Sequence, residues 1–297
     1  MNNYPLRTDL ALEAQEALTH TPQEDSGITV TKRTDKGAHL QTTHVQILTE
    51  NAARKIGKPK GNYITLESPA LETSNDREHR ILSRAIATNL VDMLPLRPNY
   101  QTPPTILVVG LGNRNVTPDS LGPLVIDHLA ISRHLYREYG QSAFTEPIGF
   151  LLSGIVPGVM AQTGMETSEI VKGIITITRP ALCIVIDALA ARSIKRLNRT
   201  IQLSDTGIHP GSGVGNHRHG LTKETLGIPV FSLGIPTVVD AATIVSDVVS
   251  EKGGKPLSLP PSLHSMFVTP KSVDETILRL SFTLSEAINL AFGPHFG

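Results

Sequence analysis

Two short, unbroken apolar runs constrain this chain more than any other feature. One is TILVV, Thr105 to Val109; the other is LCIVI, Leu182 to Ile186. A strand with one wet face alternates apolar and polar residues. Continuous runs therefore predict strands buried on both faces, as in a parallel sheet covered by helices. Each run leads to an acid: Asp119 lies in GLGNRNVTPDSLGP after the first, and Asp187 follows directly on the second. In open α/β sheets chemistry gathers beyond the carboxyl ends of the strands, where two such acids can face one another. Paired carboxylates can share a proton and so supply an acid and a base at one pH.

The surrounding pattern supports that architecture. Phe150 to Val156, Thr200 to Leu203 and Val230 to Leu233 read as further strands. Leu121 to Glu138, Thr163 to Thr178 and Val238 to Ser250 read as helices. Their alternation predicts an α/β fold, a mainly parallel or mixed sheet with helices on both faces. Asp76 to Leu94 is amphipathic, with Ile81, Leu82, Ala85, Ile86, Leu90 and Val91 near one face. Ser272 and Glu275 form a capping-box pattern that opens a last helix to about Phe292. Residues 1 to about 20 read as a separable leader, and the polar stretch to Leu71 as turns with one short strand, GNYITLES. The expected organisation is a single domain with a less regular N-terminal extension to about residue 100.

Composition narrows the function. Lys plus Arg equals Asp plus Glu at 27 each, and tryptophan is absent, which argues against a nucleic-acid footprint or a base-stacking platform. No apolar run is long enough to span a membrane, and no secretory core is visible, so an intracellular protein is expected. The single cysteine, Cys183, lies inside an apolar run and reads as a small core residue.

Asp119 reads either as a site acid or as an N-cap ahead of the helix at Leu121. Asp187, within apolar neighbours, must be paired, hydrogen-bonded or protonated; pairing with Arg192 or capping the next segment is the structural alternative. GLGNRN lacks the third glycine of a dinucleotide fingerprint; Gly112 and Asn113 belong instead to a tight loop able to aim Asp119 back over the sheet. SDTGIHPGSGVGNHRH is a glycine-rich loop, in which Gly211 and Gly213 can dock a substrate backbone or an anion. Its His209 can carry a proton or bind metal, whereas His217 and His219 read as exposed loop residues. Ser212 lacks a nucleophile-elbow context. Asp205 and Asp240 are reserve acids, with Asp240 placed to favour a helix start.

These residues resemble the germination protease family of spore-forming bacteria. The resemblance rests on GLGNRNVTPDSLGP, PGVMAQTGMETSEIVKGII, IDALAARS, SDTGIHPGSGVGN, GIPTVVDAATI and VTPKSVDE, in order along nearly the whole chain. It implies an endopeptidase of the spore interior that degrades small acid-soluble spore proteins at germination. It also implies a homotetramer made as a self-processing zymogen, with catalytic acids at Asp119 and Asp187 and a fold related to hydrogenase-maturation peptidases. That kinship keeps a zinc alternative open, with Asp119, Asp187 and His209 as ligands; no cofactor is the first expectation. The family cuts after an acid and before an apolar residue, with a further acid downstream. RTDLALE, Arg7 to Glu13, fits that arrangement, so cleavage between Asp9 and Leu10 is expected, with residues 1–9 as propeptide and 10–297 as the peptidase domain. In the aspartic-type mechanism the ionised acid takes a proton from water while the protonated acid polarises the peptide carbonyl. A nucleotide- or phosphosugar-binding protein using GLGN and GSGVGN is the reading from a different class.

Overall fold

The apolar runs form the centre of one mixed sheet. A computed structural model describes residues 8–19, 27–73, 75–211, 219–251 and 259–294. Its strands are β1 (Ile28–Asp35), β2 (Leu40–Ile47), β3 (Gly61–Glu67), β4 (Thr105–Gly110), β5 (Leu151–Ile155), β6 (Leu182–Ala191), β7 (Thr200–Ser204), β8 (Val230–Asp240) and β9 (Phe267–Val268). They run in the order β1-β2-β3-β7-β8-β6-β4-β5, with β9 paired to β8. Contacts from β8 through β6 and β4 to β5 are parallel; those from β1 through β7 to β8 are antiparallel. The fold is α/β.

The helices are α1 (Ala11–Thr19), α2 (Glu50–Ile56), α3 (Asp76–Met93), α4 (Leu121–Asp127), α5 (Arg133–Tyr139), α6 (Met160–Thr163), α7 (Thr167–Thr178), α8 (Lys223–Leu226), α9 (Ala241–Glu251) and α10 (Val273–Phe292). Alternate residues of the central strands explain why both faces are covered. Ile106, Val108, Ile184 and Ile186 pack with α3, α4 and α10 through Leu82, Ile86, Leu121, Leu280 and Leu284. Leu107, Val109, Cys183 and Val185 pack with Val171 and Ile175 of α7. Each such fully buried aliphatic side chain contributes roughly 2 kcal/mol. Among the described residues no helix is long and apolar enough to cross a membrane.

Several local expectations are corrected. The helix expected over Leu121–Glu138 is two helices, because residues 128–132 are claimed by tertiary bonds. Asn289 of α10 accepts from Ala130 N–H at 2.8 Å and donates to His128 O at 3.0 Å, and Ser132 N–H donates to Leu152 O at 3.1 Å. The helix expected over Thr163–Thr178 starts at Thr167 as α7, closed by the Glu166/Glu169 capping box, and Thr163 instead ends the separate short α6. The box expected at Ser272 is absent: Ser272 makes no side-chain cap bond, and Glu275 pairs with Arg279 at 2.6 Å. The stretch before Leu71 holds three strands and α2 rather than one strand. β6 runs on to Ala191, so Asp187 is not at its end. The extension exists because β8 continues alongside it, through a register shift after Leu189. For the same reason α9 starts at Ala241, three residues late, with Asp240 capping it by accepting from Thr243 N–H at 3.0 Å.

Candidate active site

β4 and α4 meet so closely that only glycine fits between them. A Cβ on Gly110 would lie 2.3 Å from the Gly122 carbonyl oxygen. The loop from 111 to 120 is therefore a tight return. At Gly112, φ is +111°, and a Cβ there would sit 1.9 Å from the main-chain oxygen of Asp119. Asn113 N–H donates to Asp119 Oδ2 at 2.7 Å, and Thr237 Oγ1 on β8 donates to Pro118 O at 2.7 Å. Asp119 is thus held by the loop rather than capping α4, whose N-cap is Ser120.

Leu111 N–H donates to Ile186 O at 2.8 Å, the last link from the β4 chain to β6. Asp187 is the next residue, just past the cover of β4 and only 7% exposed. Its Oδ1 accepts from Ala188 N–H at 3.0 Å. Arg192 pairs with Asp247 at 3.0 Å instead of Asp187, and Arg114 pairs with Asp127. Asp119, Asp187, Gly112, Gly211 and Thr237 line one cavity of about 370 Å³. Asp9 lines it too.

Asp9 arrives with the N-terminal segment, which docks on β6 by main-chain and side-chain bonds. Asp9 N–H donates to Ala190 O at 2.9 Å, and Ala190 N–H donates to Asp9 Oδ2 at 2.9 Å. Leu10 is fully buried with Leu189, Ala191, Leu197 and Val239. Glu13 accepts from Arg192 N–H at 2.7 Å and Ser193 N–H at 2.9 Å, and from Thr8 Oγ1. Arg196 faces Glu13 at 3.7 Å and binds Glu16 at 2.7 Å and Glu67 at 2.9 Å. Sequence reasoning missed Arg196, Lys58 and Gln202. Only Gln202 left a trace, as a polar residue inside the apolar strand TIQLS.

His209 lines a second cavity of about 660 Å³, together with Lys58, Tyr63, Gln202 and Asp9. Partial burial, and secondarily the Lys58 charge, hold its pKa below the ordinary value. Among the described residues no three His, Cys, Asp or Glu side chains are gathered to hold a metal ion. Asp119, Asp187 and His209 do not form a zinc set here. Gly213, Ser212 and His217 lie outside the described residues. His219 is exposed, and Asp205 accepts from Asn62 N–H at 2.7 Å and its Nδ2 at 2.6 Å, holding the end of β7 to β3. Cys183 is buried in the core, which pushes its thiol up to about 12.

Comparison with known proteins gives one family. The germination protease family model matches residues 7–251. A germination protease of Caldanaerobacter subterraneus subsp. tengcongensis is 40% identical, over 97% of this chain and 94% of its own length. Those of a Geobacillus species and Priestia megaterium are 46% and 45% identical over 84% of this chain, covering 68% and 67% of their own lengths. The chain belongs to the germination protease family.

Proposed function

We propose that this peptidase uses Asp119 and Asp187 together to activate water, and that it is made as a zymogen cut between Asp9 and Leu10. The carrying observation is that both acids and Asp9 line one cavity. Two acids that share one cavity can divide the proton transfers, one accepting the proton of water while the other acts as an acid. Asp9 precedes the apolar Leu10, and Glu13 supplies an acid downstream. The proposed substrates are small acid-soluble spore proteins carrying the same arrangement, met in the forespore and spore core by a homotetramer.

Asp119→Asn and Asp187→Asn are expected to abolish both leader removal and cleavage of a purified spore protein, with the fold kept by circular dichroism. Substantial turnover in either variant removes that acid from the reaction. Cleavage by protein stripped of metal and assayed with a chelator is expected to persist. Size-exclusion with light scattering reads the assembly.

A further inference from the structure

Three hydrogen bonds converge on the leader's main chain from outside the acid pair. Lys58 Nζ donates to the carbonyl oxygens of Thr8 at 3.2 Å and Asp9 at 3.1 Å. Gln202 Nε2 donates to the same Asp9 oxygen at 3.1 Å. The Gln202 amide orientation is fixed by its other end, because Oε1 accepts from Ala11 N–H at 2.6 Å and only an acceptor can meet that group. Gln202 therefore grips the main chain on both sides of the Asp9–Leu10 bond. The oxygen so held belongs to the carbonyl of that bond.

We propose that Lys58 and Gln202 form the oxyanion site for leader cleavage, a role that rests on the Asp9–Leu10 reading above. Preorganised donors aimed at a carbonyl oxygen stabilise the negative charge that develops there, and do so best where water is excluded. Both donors are held in place by the fold. Gln202 sits on β7 between β3 and β8. Lys58 follows the left-handed Gly57, and the N–H groups of both residues donate to Ala53 O at 2.9 and 3.2 Å. Burial lowers the Lys58 pKa, while the Asp9 and Glu13 carboxylates oppose that shift. Asp9 of the leader and Glu13 beyond the cut thus help keep the ammonium charged. Asp9 forms part of the wall of both cavities, the one with the acid pair and the one with Lys58 and Gln202.

The steps balance. Water adds to the Asp9 carbonyl carbon and gives its proton to the ionised acid of the pair. The carbonyl electron pair moves onto the oxygen held by Lys58 Nζ and Gln202 Nε2. Collapse restores the carbonyl and breaks the bond to the Leu10 nitrogen, which takes a proton from the protonated acid. The products are a carboxylic acid at Asp9 and an amine at Leu10, and transfer of the acid's proton leaves a carboxylate and an ammonium. Polarisation of the carbonyl passes from the acid pair to these donors, and the pair keeps the proton transfers.

The test is the rate of leader removal in the full chain, followed by intact mass, for Lys58→Met and Gln202→Glu. The Glu variant keeps the acceptor for Ala11 N–H and replaces the donor. Each is expected to slow cleavage about 10²–10³-fold, with Lys58→Arg recovering part of the rate. Hydrogen exchange at the Asp9 and Ala11 amides reads docking separately and is expected to stay slow. Unchanged cleavage in both variants overturns the proposal. So does slowing that comes with lost protection in both, which assigns these residues to docking alone. A wild-type product that does not begin at Leu10 overturns the cleavage reading instead, whatever the variants do.

Discussion

Asp9 and Ala190 exchange two hydrogen bonds, both 2.9 Å: the Asp9 N–H donates to Ala190 O, and the Ala190 N–H donates to the Asp9 carboxylate. The N-terminal segment is thereby held on β6 by the side chain of an acid as well as by its main chain. Replacing the carboxylate removes a charge-assisted bond, while Asp9→Asn keeps an acceptor of the same shape. Asp9→Ala is predicted to process about 10- to 100-fold more slowly than the parent, with Asp9→Asn between the two. Rates by mass spectrometry check this, and equal rates for Ala and the parent would defeat it.

Glu13 holds the segment at its other end. Its side chain is 3% exposed and accepts from the main-chain amides of Arg192 and Ser193. Glu13→Ala strands both donors. It is predicted to cost about 1–3 kcal/mol in urea unfolding, measured in the Asp187→Asn background so that cleavage does not intervene. The Arg192 and Ser193 amides should also exchange faster. Unaltered stability together with unaltered exchange would show that the pairing is not felt in solution.

The loop that carries Asp119 depends on one glycine. Gly112→Ala would force a Cβ to 1.9 Å from the Asp119 carbonyl oxygen at a φ of +111°. The loop must move, and Asp119 with it. Peptide cleavage is predicted to fall about 100-fold, with a stability loss of about 1–3 kcal/mol. Full activity in this variant would mean that Asp119 tolerates displacement and is not held for chemistry.

His209 offers a titration. Its pKa is lowered by partial burial and then by Lys58, so the folded state favours the neutral ring. That preference adds stability above the ordinary histidine value of about 6.5 and is lost as pH falls from there through the lower folded pKa. The residue is exposed overall, so the effect on stability is small. An NMR titration is the sensitive measurement: in Lys58→Met the His209 pKa is predicted to rise towards its ordinary value. An unmoved titration curve would contradict the coupling.

How much of this was legible depended on where each residue's structure is decided. TILVV and LCIVI announced the core strands, because a strand buried on both faces has no polar positions to hide it. The same two runs located Asp119 and Asp187. β1 was invisible: ITVTKRTD is largely exposed, and only its pairing to β2 makes it a strand. The extension of β6 through DALAA was equally hidden, since alanine and leucine favour helix and the strand there is set by β8 and the docked Asp9. The break after α4 was decided by Asn289, far away in sequence. Lys58 escaped notice because nothing in KIGKPKG distinguishes its ammonium from the solvated lysines on either side. Its contact comes from a helix end that points it at the Thr8 and Asp9 carbonyls.

The burial of Leu10 bears on what happens once the chain is cut at residue 9. The newborn terminus would be a buried ammonium, and its present acceptor, Thr8 Oγ1 at 3.0 Å, departs with the leader. That hydroxyl also donates to the Glu13 carboxylate, so its departure leaves an acid facing the new charge. The new end would be captured by Glu13 while the leader's end leaves, the two could not find each other again, and maturation would run in one direction only.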